Sequence, residues 1–171
     1  LHNTSWGFLC PSETPEGQSV GVVKNLSFMT HITIHSDPIP LYEYIIPFIT
    51  DLTNLKSVTD ITSKVKVFIN GCWIGISENA YDLYRSLKDK KSKGIINIYT
   101  SIVFDFKLKE LRICNDAGRL TRPLLIVKDK NVVLTKDIIN KLQMNEMNWE
   151  DLLTYTIVNH SVIEYIDAEE Q

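Results

Sequence analysis

Apolar and polar positions along the 171 residues keep no single period; they change character several times, and the changes mark the elements. Val65 to Ile69 and Cys72 to Ile76 are β-rich runs flanking Asn70-Gly71, the pair that a two-residue type I′ turn favours. This predicts a hairpin. Beyond it, Ser77 or Asn79 can cap a helix running to about Lys91, with Gly94 where a C-terminal cap belongs. Leu83 and Leu87, four apart, mark the buried side of that helix. Before the hairpin, Asp37-Pro38 breaks the chain, Pro40 to Thr50 predicts a short helix with a proline near its end, and Thr50 to Ser63 reads as irregular. After Ile95 the pattern turns to strands: Ser101 to Phe106, Glu110 to Asn115, Leu124 to Val127 and Val132 to Thr135. Two short helices, Lys136 to Leu142 and Trp149 to Thr154, and a closing strand from Val162 to Asp167 complete the chain.

The first 34 residues differ. Two prolines and a glycine between Pro11 and Gly17 forbid both a helix interior and a central strand, and Pro15-Glu16-Gly17 reads as a tight turn. Trp6, Phe8 and Leu9 beside it call for burial, which predicts an ordered loop. Gly21 to Ile34 is β-branched and apolar, the pattern of a strand or strand pair. The fold class is therefore α+β, mixed and strand-rich: an ordered N-terminal loop, a small α/β unit over residues 37–97, and a mostly β unit over 98–171.

Composition narrows the classes. With 44% hydrophobic and 23% charged residues this is an ordinary globular chain, neither disordered nor fibrous. The most apolar stretch, Ile39 to Ile49, is interrupted by Pro40, Glu43 and Pro47 and is too short to span a membrane as a helix. A formal charge of −3 argues against a stand-alone nucleic-acid binder, while leaving open an acidic piece of a larger machine. Cys10, Cys72 and Cys114 are far apart and form no C-x-x-C pair, so neither a disulfide framework nor a structural zinc site is expected. The lack of an initiator methionine and the charged final residues read as cuts in a longer polypeptide.

Few residues suggest chemistry. Glu13 and Glu16, three apart, suit an acid/base couple or part of a metal site; equally, one accepts backbone N–H groups inside the turn while the other faces solvent. His2, His31, His35 and His160 lack metal-ligand spacing. Lys88, Lys90, Lys91 and Lys93 either meet phosphate or a partner, or complement the helix dipole. Arg119 and Arg122 either bind an anion or a partner, or clamp a carboxylate of the neighbouring unit. Trp6, Trp73 and Trp149 read as core residues.

One constellation goes further. His2-x-Thr4-x-Trp6-Gly7-x-x-Cys10-Pro11-x-Glu13-Thr14-Pro15-Glu16-Gly17, continuing to Gly21 and Leu26, resembles the signature of the second-largest subunit of multisubunit DNA-dependent RNA polymerases, in its eukaryotic and archaeal form. Phe68-Ile69-Asn70-Gly71-x-Trp73-x-Gly75, Asn115-Asp116-Ala117-Gly118-Arg119-x-x-Arg122-Pro123-Leu124 and Glu164-Tyr165-Ile166-Asp167-Ala168-Glu169-Glu170 match the family in order. The resemblance implies that residues 1–36 end the fork region beside the active centre, 37–97 form the first external domain and 98–171 most of the second. It implies no catalytic residue and no metal ligand in this stretch, the magnesium of the whole enzyme being held elsewhere. Glu16 would stand next to the nucleotide-addition site, while Glu13, Pro15 and Gly17 would shape the loop. The lysine cluster would be surface, open to transcription factors or solvent. Implied partners are the largest subunit, other polymerase subunits, template DNA and product RNA, with no membrane; the implied compartment is the nucleus, or host cytoplasm or virion if the source is a large DNA virus. A partner-docking scaffold without a direct role in catalysis is the alternative, and an independent hydrolase using Glu13 and Glu16 is a third reading.

Overall fold

The computed structural model describes residues 2–55, 57–154 and 161–171. His160 lies outside them. The chain begins as a loop with 3-10 turns at Asn3–Ser5 and Gly17–Ser19, then enters strand β1 (His31–Ile32). Helix α1 (Ile39–Ile45) carries Pro40 in its first turn, where no intrahelical N–H is needed, and Pro47 sits in the 3-10 turn Ile46–Phe48 that follows. Strands β2 (Thr50–Asp51), β3 (Val65–Ile69) and β4 (Cys72–Ser77) come next, with helix α2 (Val58–Ser63) between the first two. Helix α3 (Ala80–Ser92) leads to β5 (Ser101–Asp105) and β6 (Glu110–Cys114). Then follow β7 (Leu120–Leu125), β8 (Val127–Lys128), β9 (Asn131–Val132), α4 (Lys136–Gln143), α5 (Trp149–Leu153) and β10 (Ile163–Asp167).

Five strands form one sheet in the order β2-β4-β3-β6-β5, with β3 and β6 parallel at its centre. Alternation along β3 and β6 sends Val67, Ile69, Leu111 and Ile113 to one face, where α1 (Leu41, Ile45) and α3 (Leu83, Leu87) cover them. This is the main core. The sheet draws strands from both sides of residue 97, because α3 carries the chain from β4 across the two central strands to β5. A second sheet, β1-β7-β10, joins the N-terminal segment to the end of the chain. A smaller core of Ile138, Met147, Leu152, Leu153, Val162 and Ile163 lies beside it.

The hairpin forms as its sequence predicts: Asn70 (φ 48°) and Gly71 (φ 80°) both adopt the left-handed conformation that a type I′ turn requires. Helix α3 ends as predicted too, Gly94 (φ 72°) receiving the chain while its N–H bonds Lys91 O and the Ile95 N–H bonds Lys90 O. At its start Asn79 stands at the cap position without a side-chain bond, and the Ser77 hydroxyl donates to Phe48 O instead. Elsewhere the expectations need correction. Thr50 to Ser63 contains β2 and α2 rather than irregular chain. Strand β7 begins at Leu120, earlier than its apolar pattern; Pro123 is tolerated because at its register β10 is the one neighbour. Thr135 ends no strand but caps α4, accepting the Ile138 N–H.

Gly21 to Ile34 departs most. It holds no strand pair, only the Leu9–Leu26 bridge and two-residue β1. Gly21 turns the chain at φ 74°, and Val22, Val23 and Phe28 face outward, uncovered by apolar surface of the described residues. The tryptophans are not core residues either. Trp6 is 73% exposed because Gly7, at φ 77°, reverses the chain so that Phe8 alone points inward. Trp73 lies at the surface, stacked on Phe68 beneath the Lys66 ammonium, and Trp149 opens the short helix α5 with its ring half-exposed.

Candidate functional site

The N-terminal loop is held by residues other than its carboxylates. The Thr14 hydroxyl accepts the Gly21 N–H (3.0 Å) and donates to Val23 O (3.1 Å), closing the segment around the prolines. The Asn25 amide donates to Glu13 O at 3.0 Å, and Thr30 donates to Phe8 O at 2.8 Å. Glu13 thus serves through its backbone carbonyl. Among the described residues its carboxylate accepts no N–H; the hydroxyl of Thr14, one position on, takes the Gly21 amide. Glu16 has extended backbone (φ −75°, ψ 159°) at the mouth of the Gly17–Ser19 turn and makes no cap bond with its side chain. Gly17 is needed there for its backbone, at φ 80°; a Cβ would meet nothing within 4 Å. Pro15, Glu16 and Gly17 are all exposed. The result is an ordered turn on which both the Glu13 and the Glu16 side chains are exposed, with no hydrogen bond or ion pair to either carboxylate among the described residues.

Apolar side chains are also exposed elsewhere in the N-terminal segment. Trp6, Leu9, Pro11 and Ser27 line an open groove of about 660 Å³, and Phe28 is fully exposed. Surface of this kind marks a face built to be covered. Within the same loop Cys10 is bonded through sulfur to Ser12 Oγ at 3.4 Å. That hydroxyl and the backbone N–H groups of Ser12 and Glu13 hold its thiol below the ordinary value. Burial pushes Cys114 the opposite way, up to about 11.

Arg119 and Arg122 act as internal clamps. The Arg119 guanidinium meets Asp116 Oδ1 at 2.9 Å, Tyr99 O at 2.9 Å and Asp167 Oδ2 at 3.3 Å. Arg122 donates twice to Gln171 Oε1 (3.0 and 2.8 Å), lies 5.5 Å over the Phe8 ring, and packs so tightly on Gly7 that a Cβ there would fall 2.6 Å from its Nη1. These contacts bind β7 to the loop and to the end of the chain. Arg119 thus clamps carboxylates, those of Asp116 and Asp167, whereas Arg122 holds the amide oxygen of Gln171.

The lysine cluster is not an open surface. Leu83, Leu87 and Lys91 form one i, i+4 stripe, so Lys91 falls on the buried face of α3, with its side chain 3% exposed. Its ammonium donates to Tyr165 O (2.8 Å) and faces Glu164 (3.4 Å) and Glu170 (3.8 Å). Lys88 bonds Glu164 and reaches Glu170 at 3.3 Å. Lys90 lies 4.8 Å over the Tyr44 ring, and Lys93 pairs with Asp89. Burial would raise Glu164, yet the Lys91 and Lys88 ammonium groups hold it below the ordinary carboxylate range; burial pushes Glu170 up despite the same partners.

Sequence reasoning missed these partners and three polar anchors. Asn115 exchanges bonds with Asn70 and donates to Ser36 O and Asp37 O, pinning the linker to the hairpin turn. Thr33 seals the Asp116-Ala117-Gly118 turn through both its backbone and its hydroxyl. The Asp167 carboxylate accepts the N–H groups of Glu169 and Glu170 besides taking Arg119. The signal was present: each lies within one of the motifs or at a strand end beside it.

Comparison with known proteins gives these motifs a family. A family model described as RNA polymerase Rpb2, domain 3, matches residues 1–32, and one described as RNA polymerase Rpb2, domain 4, matches residues 67–128. Together they cover more than half of the chain. The DNA-directed RNA polymerase II subunit RPB2 of Encephalitozoon cuniculi is 41% identical over 171 residues, which is 100% of this chain and 14% of that protein. The corresponding figures for the DNA-directed RNA polymerase II subunit 2 of Arabidopsis thaliana are 39% identity, 100% and 14%. The DNA-directed RNA polymerase subunit 2 of Acanthamoeba polyphaga mimivirus is 35% identical over 174 residues, again 100% of this chain and 14% of that protein. The chain belongs to the family of RNA polymerase second-largest subunits. It spans about 14% of the length of these curated relatives.

Proposed function

We propose that this chain contributes to template-dependent RNA synthesis as part of the second-largest subunit of a DNA-directed RNA polymerase, nucleotidyl transfer being performed by the whole assembly. The observation that carries the reading is similarity across the full chain to subunits so named from a microsporidian, a plant and a large DNA virus. In this reading residues 1–36 end the fork region, and residues 37–97 and 98–171 belong to the first and second external domains, which share the five-stranded sheet. Its partners are the largest subunit, other polymerase subunits, template DNA and product RNA. Its compartment is the nucleus for a cellular source, and host cytoplasm or virion for a viral one.

Glu16 is the residue we assign to the surroundings of the nucleotide-addition site. Its unpaired carboxylate, on a turn shaped by Pro15 and Gly17, is free to act on the local field where triphosphate and magnesium meet. The donor set does not fit a resident metal: among the described residues no three His, Cys, Asp or Glu groups converge. No step therefore runs through a metal held here.

The exposed loop face around Trp6 and Phe28 favours a second, compatible role as a docking surface for other parts of the assembly. The coding sequence that contains these residues tests the proposal. We expect it to continue on both sides into the remainder of a second-largest subunit; a stop codon soon after Gln171 would contradict it.

A further inference from the structure

The far edge of the five-stranded sheet carries an unassigned feature. Strand β5 is the last strand there, paired with β6 alone, and among the described residues its backbone makes no hydrogen bond on its other side. Such an edge is a template for another strand, and proteins ordinarily blunt it. Here aromatic rings stand at its end instead. Tyr81 and Tyr84 of α3 meet Phe104 of β5 and Phe106 just beyond it, with ring centroids 4.6–6.0 Å apart. Phe106 is 73% and Tyr81 49% exposed, so the cluster is half core and half surface. Aromatic groups with this split character are the residues that anchor interfaces.

The charges beside the rings favour one sign. Arg85, one helical turn beyond Tyr81, and Lys107, next to Phe106, are exposed and have no ion-pair partner among the described residues. Asp105 has its carboxylate taken by the N–H groups of Lys107 and Leu108 and by Arg112, leaving Asp82 as the one exposed acid on this part of α3.

From the free edge, the rings and the unpaired cations we propose that β5 and its aromatic cluster form a docking site for an extended acidic peptide of a partner protein. The peptide adds a short strand along Val103–Asp105, places leucine or phenylalanine side chains on Tyr81, Phe104 and Phe106, and meets Arg85 and Lys107 with aspartates or glutamates. The strand edge supplies affinity without sequence preference; the rings and cations supply the selection.

The test uses the 171-residue chain and two fluorescein-labelled octapeptides, one alternating leucine and phenylalanine with aspartate, the other carrying lysine at every aspartate. Fluorescence anisotropy should show saturable binding of the acidic peptide, at least ten-fold tighter than the basic one. Phe106→Ser with Tyr81→Ser should weaken it ten-fold or more; both residues are exposed, and an unchanged unfolding midpoint confirms the fold. Arg85→Glu with Lys107→Glu should reverse the preference between the peptides. Hydrogen exchange should show amides of Val103–Asp105 slowed by the acidic peptide. Equal binding of the two peptides, insensitivity to the ring substitutions, protection elsewhere in place of β5, or no binding at millimolar peptide would each overturn the proposal.

Discussion

Replacing Lys91 by methionine tests how helix α3 is fastened to the end of the chain. The substitution keeps the volume of the stem and removes the charge. What it leaves behind is Glu170, whose side chain is 4% exposed, and Tyr165 O, which loses its 2.8 Å donor. Breaking a buried ion pair by removing one partner costs about 3–5 kcal/mol. Lys88 still faces both carboxylates, so the low end applies, about 3 kcal/mol. Against a typical domain stability of about 5–15 kcal/mol that is a large fraction. Glu170→Gln alone should cost less than Lys91→Met, because burial, which raises the folded value of this carboxyl, no longer has a charge to act on. The double variant should cost less than the two single costs added, with a coupling of about 1–3 kcal/mol. The assay is urea unfolding of the four proteins, with constant m-values as the check on two-state behaviour. If both single variants lose less than about 1 kcal/mol and their effects simply add, the group is solvated and the clamp is not what joins α3 to β10.

Acid should expose the same network: Glu164 has a lowered folded value, so its stabilising contribution is full above about pH 4.5 and is lost as pH falls through that lowered value. Glu170 works the other way, its raised folded value making its contribution weaken as pH rises through it, so Glu164→Gln should flatten the acid limb and Glu170→Gln should not; identical acid limbs would refute the assignment. Thr14→Val should cost about 1–3 kcal/mol of local stability by leaving the Gly21 N–H unpaired, whereas Glu13→Ala should stay within about 0.5 kcal/mol, both read from thermal unfolding. Brief alkylation with iodoacetamide at pH 8, mapped by mass spectrometry, should label Cys10 ahead of Cys114, whose thiol is held protonated by burial; early labelling of Cys114 would contradict this.

Local chemistry made some of this fold legible from sequence. Asn70-Gly71 and Gly94 dictate backbone conformations that few other residues adopt, so the hairpin and the end of α3 could be placed without any tertiary knowledge. Register across the sheets could not be read, because the parallel pairing of β3 with β6 depends on α3 crossing between them. The loop misled for a different reason. Val22, Val23 and Phe28 have the composition of a buried strand, yet among the described residues they are left exposed. Apolar pattern reports what a surface needs and not where its cover comes from. Lys91 shows the reverse error: a lysine in a last helical turn reads as solvated, while its place on the Leu83-Leu87 stripe already sent it inward. Of the candidate site, the turn around Glu16 was legible through Pro15 and Gly17. For Arg119 and Arg122 a clamp was one of the readings but its distant partners were not legible, since Asp167, Gln171 and Phe8 lie 48, 49 and over a hundred residues away.

The account turns on Glu16. A single charge acting across a partly hydrated site is worth about one to a few kcal/mol, or roughly ten-fold in rate. The measurement is single-nucleotide addition by the assembled polymerase carrying Glu16→Ala, in parallel with Glu13→Ala and with thermal stability of each. We expect Glu16→Ala to change the addition rate or fidelity about ten-fold while the unfolding midpoint stays put, and Glu13→Ala to leave the rate unchanged. An unchanged rate and fidelity for Glu16→Ala would contradict the assignment and leave the loop a purely architectural element.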